Sequence, residues 1–449
     1  MKLAELKKIY FVGIGGIGMS ALARYFNGLG MEVFGYDKVE TVLTQKLVEE
    51  GMKVHYKDDV SQIPEGIDLV VYTPAIPKNH RELNYFWDND YPVKKRAEVL
   101  GIISRNRKTI GVAGTHGKTT TSAILTHVLR TGGIDCTAFL GGIAQNFESN
   151  FIEGKSDWVV MEADEFDRSF LHLHPELAVI TSMDADHLDI YGDKNAMHDT
   201  FKAYAGQVKD TLFHKHDLPL SNADNADITF GQYGIDKGSI YATNIRVEGA
   251  HFVFDWVSPE EMITDLKFTL PGAHNVMNAT AAIAIAKKLG CTAESIRTAL
   301  RTFKGIKRRF EFILNTEKCV YIDDYAHHPE ELNAAIDAVK TLYPERTITG
   351  VFQPHLYSRT QDFVDGFAAA LDALDKVVLL DIYPARELPI EGVTSAIIFD
   401  KMTNDDRVLI AKSELLEELK TRDLDVLVTL GAGDVGALVP KIAEMLSKS

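Results

Sequence analysis

The 449-residue chain contains few cysteines, and their positions suggest neither a cross-link nor a metal site. The three cysteines, Cys136, Cys291 and Cys319, are far apart and lack the spacing of metal ligands. Proteins of oxidising compartments usually carry cysteines that can pair. The sequence therefore argues against a disulfide framework and a zinc site, and it favours a reducing compartment.

Basic residues are scarce relative to acidic ones. The chain has 48 Lys and Arg against 64 Asp and Glu, a formal net charge of -16. Surfaces that bind nucleic acid or anionic lipid need the opposite excess, so neither class of partner is expected. An anionic ligand would instead need local devices, such as glycine loops and helix N-termini.

Long hydrophobic runs are also missing. No apolar stretch is long enough to span a bilayer, so we expect no membrane insertion. A lysine pair precedes the nearly apolar residues 9–23, which could mimic a signal peptide, but four glycines would weaken a helix there. The stretch is more typical of a strand, a tight turn and a helix, and it predicts a cytoplasmic protein.

Strand and helix patterns alternate along the whole chain. This alternation predicts α/β layers with mostly parallel sheets. At about 100–200 residues per domain, the length allows about two to four domains. A polar stretch at 104–108 and a basic turn at 304–309 interrupt the alternation. We therefore predict three domains, comprising residues 1–104, 105–308 and 309–449.

The strongest motif is a glycine-containing loop that directly follows the apolar strand 109–113. The loop consists of Gly114, Thr115, His116, Gly117, Lys118, Thr119 and Thr120. Such a loop turns backbone N–H groups toward phosphate oxygens, and the next helix adds its positive end. Lys118 can reach the β- and γ-phosphates, and the Thr119 hydroxyl can bind Mg²⁺. Val112 replaces the first glycine of the usual pattern, which disfavours a GTPase or simple kinase; a plain structural turn is the alternative.

Acidic residues follow two further apolar strands. Glu162 ends strand 159–162, and strand ends in parallel sheets face the ligand crevice, so Glu162 could bind Mg²⁺. Asp164 and Glu165 follow closely, and spacing alone does not decide which acid binds the metal. The segment 184–189 contains three acids and His187, which suggests a second metal or a base. A helix cap and a solvated acidic turn are the respective structural alternatives.

A second glycine loop lies near the amino terminus, after the strand 9–12. Its glycines fit the pattern G-x-G-x-x-G, and Asp37 ends the next strand. From the residues alone this predicts a dinucleotide site, with the diphosphate at the helix end and ribose hydroxyls on the acid. Any ribonucleoside diphosphate offers the same groups. The glycines could also serve helix–strand packing alone.

Taken together, the motifs resemble those of the Mur ligase family over essentially the whole chain. Residues 114–120 match the family's ATP loop, and Glu162 and His187 match its magnesium positions. Further matches are the element His-Asn-x-x-Asn at 274–278, the basic turn 307–310 and the segment 323–329. The resemblance implies that ATP is also bound by Asn275, Asn278, Arg309, Asp324 and His328. It also implies catalytic roles for Lys118, His187 and Arg309, and Thr119 as a third metal ligand.

The segment 352–359 resembles the family's amino-acid-binding segment. The resemblance implies that His355, Tyr357 and Arg359 bind the amino acid. Leu356 stands where many relatives carry arginine, and Pro384 and Arg386 stand where relatives often have alanine and glycine. These departures concern the amino-acid pocket and not the reaction.

The amino-terminal run 11–20 is similar to that of the family members that add L-alanine. The resemblance implies that the first, Rossmann-like domain binds the UDP part of UDP-N-acetylmuramate, which replaces the interpretation as an NAD site. The implied UDP-sugar-binding residues are Gly13, Gly15, Gly16, Gly18, Met19, Ser20, Asp37, Thr73 and Ala75. The central domain would be P-loop ATPase-like and the carboxy-terminal domain Rossmann-like.

The implied activity is ligation of L-alanine to UDP-N-acetylmuramate through an acyl phosphate, with ATP and Mg²⁺ as cofactors. A recycling ligase that attaches a tripeptide to the same sugar nucleotide is one alternative. An NAD-dependent oxidoreductase and a non-catalytic nucleotide switch are alternatives from other classes. The sequence leaves the oligomeric state open.

Overall fold

The computed structural model describes residues 3–184, 191–221, 224–249, 251–385 and 387–448. The chain forms two compact units. Unit 1 comprises residues 1–243, 255–264 and 277–302, and unit 2 comprises residues 244–254, 265–276 and 303–449. The described residues form three sheets with helices between the strands, which confirms the predicted α/β class.

The first sheet has five strands in the order β3-β2-β1-β4-β5, and every pair is parallel. The strands are β1 (Lys8–Val12), β2 (Glu32–Tyr36), β3 (Lys53–His55), β4 (Leu69–Tyr72) and β5 (Val93–Lys95). The chain runs outward from β1 to one side and then returns to the other side at β4. This reversal opens a ligand crevice at the carboxyl end of β1, where the first glycine loop begins.

Helices of the first sheet begin at recognisable signals. They are α1 (Ile17–Gly28), α2 (Val42–Glu49), α3 (Arg81–Asp88) and α4 (Arg96–Arg105). Thr41 and Thr44 exchange side-chain and backbone hydrogen bonds at the start of α2, which satisfies N–H groups that the helix leaves open. The buried face of α1 includes Leu22 and Phe26 and packs on β1 and β2.

The second sheet has ten strands in the order β15-β14-β13-β12-β11-β10-β6-β9-β7-β8. They are β6 (Lys108–Ala113), β7 (Thr137–Ala144), β8 (Ser149–Ile152), β9 (Trp158–Ala163), β10 (Leu177–Ile180), β11 (Thr211–Lys215), β12 (Thr229–Ile235), β13 (Ile240–Glu248), β14 (His251–Val257) and β15 (Met262–Phe268). β6 lies between β9 and β10 and is parallel to both. The loop after β6 is therefore flanked by the ends of two neighbouring strands.

The helices that follow in the middle of the chain are α5 (Lys118–Thr131), α6 (Lys194–Ala205), α7 (Ala273–Lys288) and α8 (Ala293–Thr302). Asp193 caps α6 by accepting a hydrogen bond from the Ala196 N–H at 2.8 Å. α7 begins at Ala273 and continues through an alanine-rich stretch to Lys288.

The third sheet belongs to unit 2 and has the order β16-β17-β21-β18-β19-β20, in which β16 alone is antiparallel to its neighbour. Its strands are β16 (Glu311–Asn315), β17 (Val320–Asp324), β18 (Ile348–Phe352), β19 (Lys376–Leu380), β20 (Arg407–Ile410) and β21 (Val426–Leu430). Its helices are α9 (Pro329–Leu342), α10 (Tyr357–Asp362), α11 (Val364–Leu371), α12 (Ala396–Phe399), α13 (Leu415–Thr421) and α14 (Val439–Lys448). One buried cluster covers each face of this sheet.

A continuous hydrophobic core joins the first sheet to the second within unit 1. Tyr25 of α1 packs against Phe139 and Phe151 with ring centroids 5.4 and 6.2 Å apart. Such burial explains why the first two sheets share one compact unit. The boundaries predicted at 104 and 308 stay a prediction. In the part of the chain that the structure describes, no helix has the length and apolar character needed to cross a membrane.

Candidate active site

The phosphate-loop motif forms a tight turn between β6 and α5. Gly114 and Gly117 have φ values of +135° and +81°, which side-chain-bearing residues rarely adopt. A Cβ at Gly117 would lie 2.7 Å from the Asn278 side-chain oxygen, so Asn278 packs against the loop, and its contact with ATP stays a prediction. Thr115, Thr119 and Thr120 are buried in the same turn. The arrangement exposes backbone N–H groups at the positive end of α5.

The end of β10 holds this loop in place. The Ser182 hydroxyl accepts a hydrogen bond from the His116 N–H at 2.7 Å and contacts the Thr115 hydroxyl at 2.9 Å. The Thr181 hydroxyl donates to the carbonyls of Ala113 and His116. Sequence reasoning assigned no role to Thr181 or Ser182. Their position at a strand end beside the loop was the available signal.

The Lys118 side chain is 14% exposed and points at the loop that it follows. Its ammonium donates to the Gly114 carbonyl at 2.6 Å and to the Glu165 carboxylate at 2.7 Å. Burial alone would lower the pKa of Lys118, but Glu165, Asp164 and Glu162 outweigh it and raise the pKa above its ordinary value. The lysine therefore stays a cation at the place where phosphate oxygens would bind. Glu165, which spacing alone could not assign, is its partner.

Glu162 at the end of β9 faces the first turn of α5. The Thr119 hydroxyl donates to the two Glu162 carboxylate oxygens at 2.9 and 3.0 Å. The Gly141 N–H donates to the same carboxylate at 2.7 Å, which fixes its orientation. A hydroxyl and a carboxylate are oxygen donors of the kind that Mg²⁺ prefers, so this pair fits a magnesium ion. His187, the third predicted metal ligand, lies outside the described residues.

Three acids at and just after the end of β9 contact three different partners. Glu162 meets Thr119, Asp164 accepts a hydrogen bond from Arg96 at 2.8 Å, and Glu165 meets Lys118. Burial alone would raise the pKa of Asp164, but Arg96 and Lys118 hold it below its ordinary range. Glu162 is thus the acid that lies beside Thr119, and its binding of Mg²⁺ stays a prediction.

The first glycine loop is also held by a neighbouring strand. The Gly15 N–H donates to the Asp37 carboxylate at 2.7 Å, and the Tyr36 carbonyl accepts the N–H groups of Gly13 and Ile14. A Cβ at Gly13 would lie 3.4 Å from Thr73, so the turn after β4 lies beside the loop. Asp37 and Thr73 are thus both adjacent to the predicted diphosphate position.

The other predicted UDP-sugar residues differ in exposure. Gly16 is the N-cap residue of α1, and Ala75 is exposed in the turn after β4. Met19 and Ser20 are buried on α1. The Ser20 hydroxyl donates to the Ile17 carbonyl at 2.9 Å and accepts from Asn150 at 2.9 Å. Ligand contacts of Met19 and Ser20 stay a prediction, since both side chains face the interior.

In unit 2, Arg308 and Arg309 take different roles. Both guanidinium groups lie 5.1 Å from the Tyr325 ring centroid. Arg308 is tied to Asp323 at 3.1 Å and to the Gly431 carbonyl at 2.7 Å, so it is a structural residue. Arg309 makes a longer ion pair of 3.9 Å with Glu331. Of the two arginines, Arg309 is therefore the one suited to bind a ligand.

Asp324 lies beneath this basic turn. Its carboxylate accepts hydrogen bonds from the Phe310 and Ala326 N–H groups at 2.6 and 2.7 Å. Burial raises the pKa of Asp324 to about 6, and Arg309 offsets only part of this effect. The residue therefore organises the turn that carries Arg309, and ATP binding by Asp324 stays a prediction.

His328 and Asn275 also have local structural partners. The His328 Nδ1 accepts the Glu330 N–H at 3.3 Å and caps α9, with Pro329 at the first helical position. The buried Asn275 amide donates to the Pro271 carbonyl at 2.6 Å. Both residues hold the ends of helices, and their contacts with ATP stay predictions.

The predicted amino-acid-binding segment surrounds the start of α10. His355 stacks on Tyr383 with ring centroids 5.8 Å apart, and its ring lies 5.9 Å from that of His327. Leu356 has φ +72°, an unusual conformation for a branched residue, and it is buried. Tyr357 begins α10, and Arg359 is buried on it. Leu356 thus forms a strained turn, while the predicted Arg386 position lies outside the described residues.

Three family models match the chain in series. Residues 8–108 match the model described as Mur ligase family, catalytic domain, and residues 112–286 match the Mur ligase middle domain. Residues 308–433 match the model described as Mur ligase, glutamate ligase domain. The predicted architecture of three successive α/β domains is therefore confirmed.

Individual relatives match over the whole length. A protein of Flavobacterium johnsoniae named UDP-N-acetylmuramate--L-alanine ligase is 51% identical over 100% of both chains. The structure of UDP-N-acetylmuramate-alanine ligase from Thermotoga maritima matches with a TM-score of 0.85 at 28% identity, covering 98% of this chain and 99% of that one. A murein peptide ligase of Psychrobacter arcticus shares the fold, with a TM-score of 0.73 at 21% identity over 99% of each chain. The chain belongs to the Mur ligase family.

Proposed function

We propose that the protein joins L-alanine to the lactyl carboxylate of UDP-N-acetylmuramate, with conversion of ATP to ADP and phosphate, in peptidoglycan precursor synthesis. The observation that carries the proposal is the presence of two different phosphate-type loops in unit 1. One has Lys118, whose ammonium is paired with Glu165, and a Thr119–Glu162 oxygen pair, and the other has Asp37 but no lysine. The loop that carries Lys118 suits a transferring phosphoryl group, and the loop beside Asp37 suits a bound nucleoside diphosphate.

The first step is phosphoryl transfer. A carboxylate oxygen of the sugar nucleotide attacks the γ-phosphorus of ATP, the bond to ADP breaks, and an acyl phosphate forms. Lys118 places its positive charge beside the transferring oxygens, and the N–H groups of the loop add hydrogen bonds. Charge stabilisation of this kind is a large part of the catalysis of phosphoryl transfer, because the protein has little covalent chemistry to perform.

Magnesium is the implied metal. Thr119 and Glu162 would hold it, with His187 as the predicted third ligand. When bound, Mg²⁺ neutralises phosphate charge and fixes the geometry of the triphosphate. The Gly141 N–H keeps the Glu162 carboxylate in place for this role.

The second step forms the amide. The uncharged amine of L-alanine attacks the acyl carbonyl carbon, a tetrahedral intermediate forms, and phosphate leaves. The amine must lose a proton, and His187 is the candidate acceptor if its imidazole does not bind Mg²⁺. His355, Tyr357 and Arg359 are the predicted residues that bind the amino acid, and Arg359 supplies a cation suited to its carboxylate.

The recycling ligase is the second candidate, because the murein peptide ligase of known structure shares the fold. The full-length identity of 51% to a protein named for L-alanine favours the amino acid over a peptide. Selectivity among small amines should be limited, since each methylene changes the choice by only about 1–3 kcal/mol. We therefore expect L-alanine to be best and L-serine and glycine to be poorer substrates.

The test is product mass after incubation with ATP, Mg²⁺, UDP-N-acetylmuramate and one amine at a time. Phosphate release should require both the sugar nucleotide and the amine. Faster ligation of L-alanyl-γ-D-glutamyl-diaminopimelate than of L-alanine would assign the protein to the recycling reaction. ATP binding without carboxylate-dependent turnover would instead indicate a nucleotide switch.

A further inference from the structure

Arg96, the first residue of α4, lies directly over the first turn of α1. A Cβ built on Gly18 would lie 2.2 Å from the Arg96 Nη1 and 3.1 Å from its Cζ. Gly18 closes the first glycine loop, and the absence of a side chain there is what lets the guanidinium approach. One face of Arg96 is therefore turned to the loop where a diphosphate is expected.

The other nitrogen of the same guanidinium reaches the acids of the phosphate loop. The Arg96 Nη2 donates to the Asp164 carboxylate at 2.8 Å. Asp164 lies between Glu162, which meets Thr119, and Glu165, which meets Lys118. A single side chain thus links the neighbourhood of the first loop to the segment that positions the groups of the second.

The segment after β9 needs such an anchor. Asp167 and Arg168 have φ values of +52° and +53°, which residues with side chains adopt only at a cost in free energy. Lys95, next to Arg96, pairs with Asp167 at 2.9 Å and is a second anchor on the same segment. Lys95 differs from Arg96 in one respect, because the three atoms nearest to a Cβ at Gly18 all belong to Arg96.

We propose that Arg96 is a positioning residue that couples the diphosphate of the sugar nucleotide at the first loop to ATP at the second. A guanidinium has five donors in a rigid fork, so it can bind a phosphate through Nη1 and keep Asp164 through Nη2. A diphosphate on the loop fixes Arg96, Arg96 fixes Asp164, and the flanking acids are then held in place. The inference rests on the proposed function. It predicts that each substrate strengthens the binding of the other, because coupling is reciprocal.

A purely structural Arg96–Asp164 ion pair would have different consequences from a pair that couples the two substrates. The side chains of Arg96 and Asp164 are 24% and 36% exposed, and those of Lys95 and Asp167 are 40% and 41% exposed. If both pairs only tied the segment down, loss of either would have similar consequences. If Arg96 transmits binding, its loss has a consequence that loss of Lys95 does not share.

The experiment measures the dissociation constant of UDP-N-acetylmuramate by calorimetry, with and without Mg²⁺ and a non-hydrolysable ATP analogue. The full-length protein should bind the sugar nucleotide about 5-fold or more tightly when the analogue is present. Lys95→Ala should keep this ratio. Arg96→Ala should bind the sugar nucleotide more weakly and bring the ratio close to one. Asp164→Ala, which leaves the Arg96 guanidinium in place, should also bring the ratio close to one.

A second variant at position 96 keeps the test possible if Arg96→Ala fails to fold. Arg96→Lys keeps the charge but lacks the two-pronged donor geometry of a guanidinium. It should therefore keep part of the affinity for UDP-N-acetylmuramate and bring the ratio close to one. Thermal unfolding identifies any variant that fails to fold, and Arg96→Lys then replaces Arg96→Ala. A normal ratio in the arginine variants, or an equal loss in Lys95→Ala, would overturn the inference, as would a ratio of one in the unmodified protein. If the unmodified protein binds no UDP-N-acetylmuramate, the proposed function fails as well.

Discussion

The two glycine loops of unit 1 share a backbone plan and differ in the side chains around them. Each follows a buried strand, opens a helix and is held by the end of a neighbouring strand. β2 supplies the Tyr36 carbonyl and Asp37 to the first loop, and Thr181 and Ser182 after β10 hold the second. The backbone alone therefore makes both loops suited to phosphate.

The difference lies in charge. The second loop carries Lys118 and faces Glu162, so it offers a cation and a metal ligand beside the phosphates. The first loop offers N–H groups and one carboxylate, and the Arg96 guanidinium lies beside its Gly18. Binding a diphosphate needs only the N–H groups of the amino-terminal loop. Transferring a phosphoryl group also needs the cation and the metal ligand of the Lys118 loop. Four changes test this division of roles.

The largest effect is expected for Lys118→Ala. Turnover should fall by about 10³-fold or more, because the charge on the transferring oxygens is lost. The change also removes the cation facing the buried Glu165, at a cost of about 3–5 kcal/mol in stability. The double variant Lys118→Ala with Glu165→Gln should regain stability and not turnover. Steady-state kinetics and thermal unfolding measure both quantities, and near-normal activity in either variant would refute the role.

Glu162→Gln should act through the metal. We expect turnover to fall by about 10²-fold and the half-saturating Mg²⁺ concentration to rise, since one oxygen ligand loses its charge. Asp157→Asn is the matched control, because it removes one charge directly before the opposite end of β9. Activity titrated against Mg²⁺ is the measurement. An unchanged magnesium dependence would mean that another acid binds the metal.

Asp37→Ala should affect the first loop alone. The hydrogen bond from the Gly15 N–H to a charged group is worth about 1.5–3 kcal/mol, so affinity for UDP-N-acetylmuramate should fall by about 10- to 100-fold. The KM for ATP should change little. Calorimetry with UDP-N-acetylmuramate and with NAD separates the two candidate ligands. Tight NAD binding by the unmodified protein would restore the oxidoreductase alternative.

Ser182→Ala should give the smallest effect. It removes the acceptor of the His116 N–H, at a cost of about 1–3 kcal/mol in stability. The KM for ATP should rise a few-fold, while the affinity for the sugar nucleotide should stay the same. Kinetics with each substrate varied in turn provide the test. An equal loss of affinity for ATP and for the sugar nucleotide would show that Ser182 supports the whole unit and not one loop.

Much of this arrangement could be predicted from the sequence. The strand and helix around each loop, the lysine and the acid at the end of β9 follow from local patterns, since buried strands and glycine turns are encoded within a few residues. The partners of Asp164 and Glu165 could not be predicted, because both follow the same strand and only three-dimensional packing separates them.

Some elements also escaped prediction for a physical reason. The antiparallel hairpin of β7 and β8 and the consecutive strands β12 to β15 depart from the strand–helix alternation that the sequence predicts along the whole chain. Arg96 gave no signal either, because it belongs to an ordinary helix start and acquires a role only through Gly18 and Asp164.

The sequence by itself determined the α/β class, the two glycine loops and the family resemblance, because these depend on residues that are neighbours in the chain. Only the tertiary structure decided that Glu162 meets Thr119, that Glu165 meets Lys118, and that Arg96 reaches from Gly18 to Asp164. Those contacts join residues that are tens of positions apart. Their geometry is set by sheet order and core packing, which bring strand ends together regardless of their distance in sequence.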